Sequence, residues 1–297
     1  MFRQIVIVDK TGLRPWALEK LKNYSEKPMK QFDDIPKSDA EIIERIQHAD
    51  CVLVSWHTQL RSETLKHAKK LKYVGMCCSL YDSSSANVDI EFAAKNEITV
   101  TGIREYGDEG VPEYIISELI RLTKGIGNQQ WKDEPVELKN RKIGIIGLGT
   151  TGKMLADILL AFGANVYYFS RSRKPQAEQE GIEYLPLHEL LEMTEIISLH
   201  LPKHSCVLGI EEFIKFGNGK ILINTSLGFT FEKAAFSNWI SNKSNYAIFD
   251  SDGIGSLKKE FDKYQNVITA ELTSGWTTEA QERLSNKVLD NLKSFLK

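Results

Sequence analysis

The run from Lys142 to Gly152, KIGIIGLGTTG, constrains this chain more than any other stretch. Apolar residues around Gly144 lead into Gly147, Gly149 and Gly152 at GxGxxG spacing, and a helix-forming segment, MLADILLAFG, follows. The order is strand, tight turn, helix. At such a junction the first glycine permits the turn, the second lets the backbone approach a pyrophosphate, and the third lets helix pack on strand. The helix N-terminus meanwhile offers free N–H groups to phosphates. Gly147, Leu148, Gly149, Thr150, Thr151 and Gly152 are therefore expected to hold a dinucleotide. A second strand, NVYYF, ends at Ser170, where an NAD site normally carries an acid for the ribose 2′-hydroxyl. This chain has Ser170, Arg171, Ser172, Arg173 and Lys174 instead. A 2′-phosphate suits that set better, so NADP is the expected cofactor and NAD the second choice. The competing account of SRSRK is a solvated basic loop after a strand.

Charge excludes other partners. Lys plus Arg is 38 and Asp plus Glu is 40, a net charge of -2 that gives no whole-molecule field for nucleic acid or an anionic membrane. A small-molecule ligand is expected instead. At 297 residues, 42% hydrophobic and 26% charged, the chain can build two domains with their own cores. The N-terminal MFRQIVIVDKTG is broken by Asp9 and Lys10 too early for a signal peptide, and no stretch approaches a membrane span, so a cytoplasmic protein is expected. Cys51, Cys77, Cys78 and Cys206 show neither CxxC spacing nor matching histidines, so no metal site is expected.

Strand and helix signals alternate along the chain. QIVIV at 4–8 and CVLV at 51–54 read as buried strands, with a helix between them opened by Ser38 or Asp39. ETLKHAKKL (helix), KYVGM (strand), NVDIEFAAKN (helix) and ITVT (strand) continue the pattern. After a polar, turn-rich stretch from Gly102 to Gly110, which reads as a hinge, VPEYIISELIRLTKG has helical spacing. Beyond the basic loop come LHELLEM, EIISLHLP, EEFIKF, GKILINTS, FEKAAFSNWI, YAIFD and NVITA, and a last amphipathic helix, AQERLSNKVLDNLKSFL. The expected fold class is α/β with two Rossmann-like domains on parallel sheets. The expected division is residues 1–101 with 281–297 against 102–280.

The glycine motif, HLP at 200–202, ILINTSLG at 221–228, FD at 249–250 and NVITAELTSGWTTEAQ at 266–281 stand in an order that resembles the D-isomer-specific 2-hydroxyacid dehydrogenases. The likeness covers nearly the whole length, and FSRSRK is similar to the NADPH-preferring glyoxylate and hydroxypyruvate reductases of that family. The resemblance implies an oxidoreductase with its cofactor in an interdomain cleft and the C-terminal helix returned to the first domain. It also implies that His200, Leu201 and Pro202 line the adenine side, and that Thr225, Ser226 and Asp250 surround the nicotinamide, Asp250 accepting from its carboxamide.

The family's chemistry uses an Arg, a His and a Glu, and the matching positions here differ. The Arg of Asn-Thr-Ala-Arg-Gly is Leu227, and the Glu position, counted from Asp250, is Gly255. Gapless pairing of 266–281 puts Leu272 on the His, and a shift by one gives Glu271. Leucine can neither bind a carboxylate nor move a proton. Three substitute proton donors can be named: His57 in SWHTQ, Tyr81 and Glu271. The glycine-rich substrate turn of the family is replaced by Met76, Cys77, Cys78, Ser79, Leu80 and Tyr81 followed by an inserted DSSSA, which implies a more apolar pocket. The segment between Glu113 and Gly147 is shorter than in the family, so the usual dimer arm is reduced, and a homodimer would use the helix at 111–124. Three functions stay open. They are an NADP(H)-dependent oxidoreductase with an altered site and a non-standard substrate, a non-catalytic NADP(H)-binding sensor or scaffold, and a conventional glyoxylate or 2-keto acid reductase drawing on His57 and Arg104.

Overall fold

The computed structural model describes residues 1–80, 82–83, 86–203 and 205–297. The chain divides into two compact units, Met1–Gly107 with Thr277–Lys297, and Asp108–Trp276.

The first unit is built on five parallel strands: β1 (Ile5–Ile7), β2 (Lys30–Gln31), β3 (Cys51–Val54), β4 (Tyr73–Ser79) and β5 (Thr99–Ile103), in spatial order β2-β1-β3-β4-β5. Parallel strands covered on both faces are apolar at successive positions, and β1, β3 and nearly all of β4 are buried throughout. Alternate residues feed two cores. Val6, Val52, Val54, Val74 and Met76 pack with Ile42, Ile46 and Leu65 from helices Asp39–Ile46 and Ser62–Leu65. Ile5, Ile7, Leu53 and Tyr73 pack with Ala17 and Leu21 of helix Pro15–Lys22 and with Leu284, Val288, Leu289 and Leu292 of helix Thr278–Phe295. Each such aliphatic side chain contributes about 2 kcal/mol on burial. Ser38, Asp89 and Thr277 cap their helices by accepting from Glu41 N, Phe92 N and Ala280 N.

One helix is shorter than its sequence predicts. ETLKHAKKL is helical only over Ser62–Leu65, and tight turns carry the chain onward, with Ala68 N donating to Leu65 O and Leu71 N to Ala68 O. The buried residues Leu65, Ala68 and Leu71 recur every third position, the period of three-residue turns rather than of an α-helix.

The second unit holds seven parallel strands, β6 (Lys142–Ile146), β7 (Asn165–Phe169), β8 (Glu183–Tyr184), β9 (Ile196–Leu199), β10 (Ile221–Asn224), β11 (Tyr246–Phe249) and β12 (Val267–Thr269), in order β12-β11-β10-β9-β6-β7-β8. Ile143, Ile145, Ile196, Ile221 and Ile223 face a core shared with helices Gly110–Lys124 and Thr150–Ala161. Ile146, Ile197, Leu199 and Leu222 face an aromatic-rich core with Phe213, Phe216, Phe236 and Trp239. The strand order reverses between β6 and β9. In open α/β sheets, ligands bind at the carboxyl ends of the strands on either side of such a reversal.

Candidate functional site

The carboxyl ends of β6, β7 and β9 to β12 bring most of the expected site residues of the second unit to one edge. Gly147 leaves β6 with φ +98, its N donates to Phe169 O at 2.8 Å, and a Cβ there would stand 2.2 Å from His200 O. Glycine is required on both counts. Gly152 packs against the turn, where a Cβ would meet Gly147 O at 2.3 Å. Gly149 differs from both, because a Cβ there would meet nothing within 4 Å. The turn is thus closed wherever the protein packs on itself and open at the one glycine where a phosphate would approach. Beyond it begins the helix Thr150–Ala161, whose first-turn N–H groups have no intrahelical partner. This geometry fits a dinucleotide pyrophosphate. Leu148 is buried beneath the turn, and Thr151 Oγ1 donates to Asp108 Oδ1 at 2.6 Å.

Residues 170–174 divide into two groups. Arg173 pairs with Glu178 and lies over the Tyr184 ring at 5.2 Å, while Tyr168 OH donates to Glu178 Oε1 at 2.7 Å and accepts from Lys174 N at 2.6 Å. This network fixes the far end of the loop. Arg171 is exposed and makes no hydrogen bond or ion pair among the described residues. Arg171 and the likewise exposed Lys174 side chain are the loop's cations without such a partner among the described residues.

At the strand reversal His200 N donates to Ile146 O at 2.8 Å and its Nε2 lies 2.9 Å from Ser198 Oγ. Burial pushes its pKa down to about 4, so the ring is neutral at pH 7 and serves the framework. Ser226 Oγ donates to Leu199 O and accepts from Leu201 N, both at 3.0 Å, tying the ends of β9 and β10 together. Asp250 is buried and accepts from Gly253 N at 2.8 Å, Ser274 N at 2.9 Å and Ser274 Oγ at 2.7 Å. Burial raises its pKa, and these hydrogen bonds oppose the rise.

Leu227 and Leu272 flank one segment. Gly228 N donates to Asp252 O, and Ser251 N donates to Leu272 O, both at 3.0 Å. Leu227 is 49% and Leu272 57% exposed, and Trp276 at the end of the same stretch is 39% exposed. Gly255 adopts φ +52, where a side chain is strained. Of the substitute proton donors, Glu271 is ion-paired with Lys258. His57, in the first unit, is exposed and lies against Trp56 with ring centroids 3.8 Å apart, its N donating to Ser55 Oγ at 3.1 Å. Arg104 Nε donates to Leu80 O at 2.8 Å. Tyr81 lies outside the described residues.

Two arrangements escaped the sequence reading. Asn224 Nδ2 donates to Gly228 O at 3.0 Å and Gly253 O at 3.1 Å, and a Cβ on Gly253 would stand 2.0 Å from Asn224 O, so this buried asparagine clamps two loops at the site edge. An asparagine ending an apolar strand is the signal that could have shown it. His188, Glu211 and Glu212 place ligand-type atoms within 4.8 Å of one another, although no sequence spacing announced them; His188 Nε2 and Glu212 Oε1 are already hydrogen-bonded at 3.0 Å.

Residues 115–260 match the family model described as D-isomer specific 2-hydroxyacid dehydrogenase, NAD binding domain. The chain belongs to the D-isomer-specific 2-hydroxyacid dehydrogenase family. Among its relatives, a glyoxylate reductase of Thermococcus litoralis is 29% identical over 86% of this chain and 83% of its own length. A hydroxypyruvate reductase of Blautia hydrogenotrophica is 27% identical over 86% and 85%. Two solved structures share the fold across 99% of this chain: a Thermus thermophilus protein (TM-score 0.83, 21% identity, 96% of that chain) and an acyclic imino acid reductase in complex with NADPH and D-Arg (TM-score 0.80, 24% identity, 97% of that chain). The second unit thus carries the family's NAD-binding domain on an oxidoreductase fold. No helix among the described residues is long and apolar enough to cross a membrane.

Proposed function

We propose that the protein is an NADP(H)-dependent reductase whose substrate is more apolar than a short 2-keto acid and whose acceptor needs no acid from the protein. The observation that carries this reading is the pair Leu227 and Leu272, half-exposed on loops tied to one segment at the carboxyl edge of the sheet that also carries the open glycine turn. Apolar side chains held in solvent at the carboxyl edge of the sheet gain about 25 cal/mol per Å² when an apolar ligand group covers them. Gly147 to Gly152 would hold the pyrophosphate, Arg171 with Ser170 and Ser172 the 2′-phosphate, and residues 200–202, 225, 226 and 250 would line the rest. The bound nicotinamide supplies or takes a hydride. The chain's own contribution is to position the acceptor and exclude water, which accounts for much of such a rate.

A C=N acceptor suits this donor set, because a protonated imine brings its own proton and needs no histidine. One protein of the same fold is described as an imino acid reductase; the likeness concerns the fold, and the proposal rests on the leucines. A second reading, a conventional glyoxylate reductase, is favoured by the names of the relatives, and would need Arg104 and His57 from the first unit. The test is NADPH oxidation in single-turnover mixtures with glyoxylate, hydroxypyruvate and imines preformed from apolar 2-keto acids and methylamine. Turnover of the imines alone supports the proposal, and brisk reduction of glyoxylate establishes the second reading. Tight NADPH binding with no turnover of any acceptor would leave a cofactor-linked sensor.

A further inference from the structure

One charged group at the glycine turn is not used by the reading above. Asp108 opens the second unit, directly after the residue at which the first ends, and its carboxylate accepts from Thr151 Oγ1 at 2.6 Å. Thr151 lies in the first turn of the helix Thr150–Ala161, the turn whose free N–H groups face an incoming phosphate. A hydroxyl has a single proton to donate. It serves the Asp108 carboxylate or a phosphate oxygen, not both. A resident carboxylate bonded to this turn also places a negative charge beside the site of a second anion, and like charges at such range oppose one another.

The geometry points to Asp108 as an internal competitor of the cofactor's pyrophosphate, a residue that sets dinucleotide affinity and whose bond to Thr151 the cofactor displaces. This inference rests on the dinucleotide site proposed above. Three consequences follow from the position of the bond. The competition acts at the pyrophosphate, so it weakens NADPH and NADH by the same factor and leaves the preference between them alone. Its charge component is screened by salt. Displacing the bond releases the Asp108 side chain from the helix, and the loosening is confined to the residues about it, since Tyr106 O still accepts from Arg283 Nε at 2.8 Å and Val111 N still donates to the Asp108 carbonyl at 3.3 Å.

The experiment is fluorescence titration of the full-length protein, wild type, Asp108→Asn and Thr151→Val, with NADPH and with NADH at low and high salt. Asp108→Asn should bind both dinucleotides about three- to tenfold more tightly at low salt, with a smaller gain at high salt. In the Thr151→Val background the gain from Asp108→Asn should shrink to its salt-sensitive part, because the shared proton is gone. Hydrogen exchange supplies a readout that needs no cofactor: amides of 108–111 should exchange faster in Thr151→Val than in wild type while those of β6 stay protected. Equal or weaker binding by Asp108→Asn, with wild type still binding, would overturn the competitor. Failure of every form to bind either dinucleotide would overturn the cofactor site itself.

Discussion

Substituting Gly149 by alanine separates what the glycine turn does for the fold from what it does for a ligand. Gly149 has φ −89 and ψ −161, an extended conformation open to any residue, and a Cβ there meets nothing within 4 Å. Two small terms act on stability. Alanine restricts the unfolded chain, a gain of about 0.4–1 kcal/mol, and it is the poorer residue at a helix N-cap, a loss of similar size. The net change should be under about 1 kcal/mol, a Tm shift of a few degrees. The ligand meets a different surface. A methyl group in the open space keeps a phosphate from the backbone N–H groups, and one charge-assisted hydrogen bond lost there costs about 1.5–3 kcal/mol, a drop in affinity of roughly ten- to hundredfold. Gly152→Ala is the contrast: its Cβ would stand 2.3 Å from Gly147 O, so the turn itself must shift and Tm should fall as well. Calorimetric melting with NADPH titration by fluorescence measures both. Wild-type NADPH affinity in Gly149→Ala would refute the placement of the pyrophosphate.

Arg171→Ala should weaken NADPH at least tenfold more than NADH, because its guanidinium has no partner among the described residues, whereas Arg173→Ala should chiefly lower Tm by removing the Glu178 ion pair; equal losses for both cofactors in Arg171→Ala would contradict the 2′-phosphate assignment. His200 has a folded-state pKa of about 4 against an ordinary 6.5, so folding favours its neutral form. The stability it contributes is present above pH 6.5 and is lost as pH falls through about 4. The full shift corresponds to about 3 kcal/mol, and since the residue keeps part of its surface in solvent, about 2 kcal/mol is expected. Urea unfolding across this range should show that loss in wild type and a flatter profile in His200→Gln; parallel profiles would refute it.

The sequence spoke plainly where one residue meets one requirement. Gly147 needs a positive φ and closeness to His200 O, and both needs are written in the GxGxxG spacing. Strands such as CVLV, and ILIN up to its terminal asparagine, announce burial on both faces because successive positions are apolar. The two-residue edge strands Lys30–Gln31 and Glu183–Tyr184 are too short and too polar to carry a pattern, and the 62–71 segment imitates a helix with a three-residue period. At the site, the basic run after β7 was legible as charge but not as a division of labour. Only the folded loop shows Arg173 held by Glu178 and Tyr184 while Arg171 stays free of them. The Asn224 clamp showed in the sequence only as an asparagine ending an apolar strand, and the Asp108–Thr151 bond joins residues far apart in the chain and leaves no local mark.

The most direct measurement of the central claim, an NADP(H) site on this family fold, is titration of the purified protein with NADPH and NADH side by side, following quenching of protein fluorescence. Saturable binding of both is expected, with NADPH at least tenfold tighter and the difference abolished in Arg171→Ala. Equal affinity for the two in wild type, or binding of neither, would contradict it.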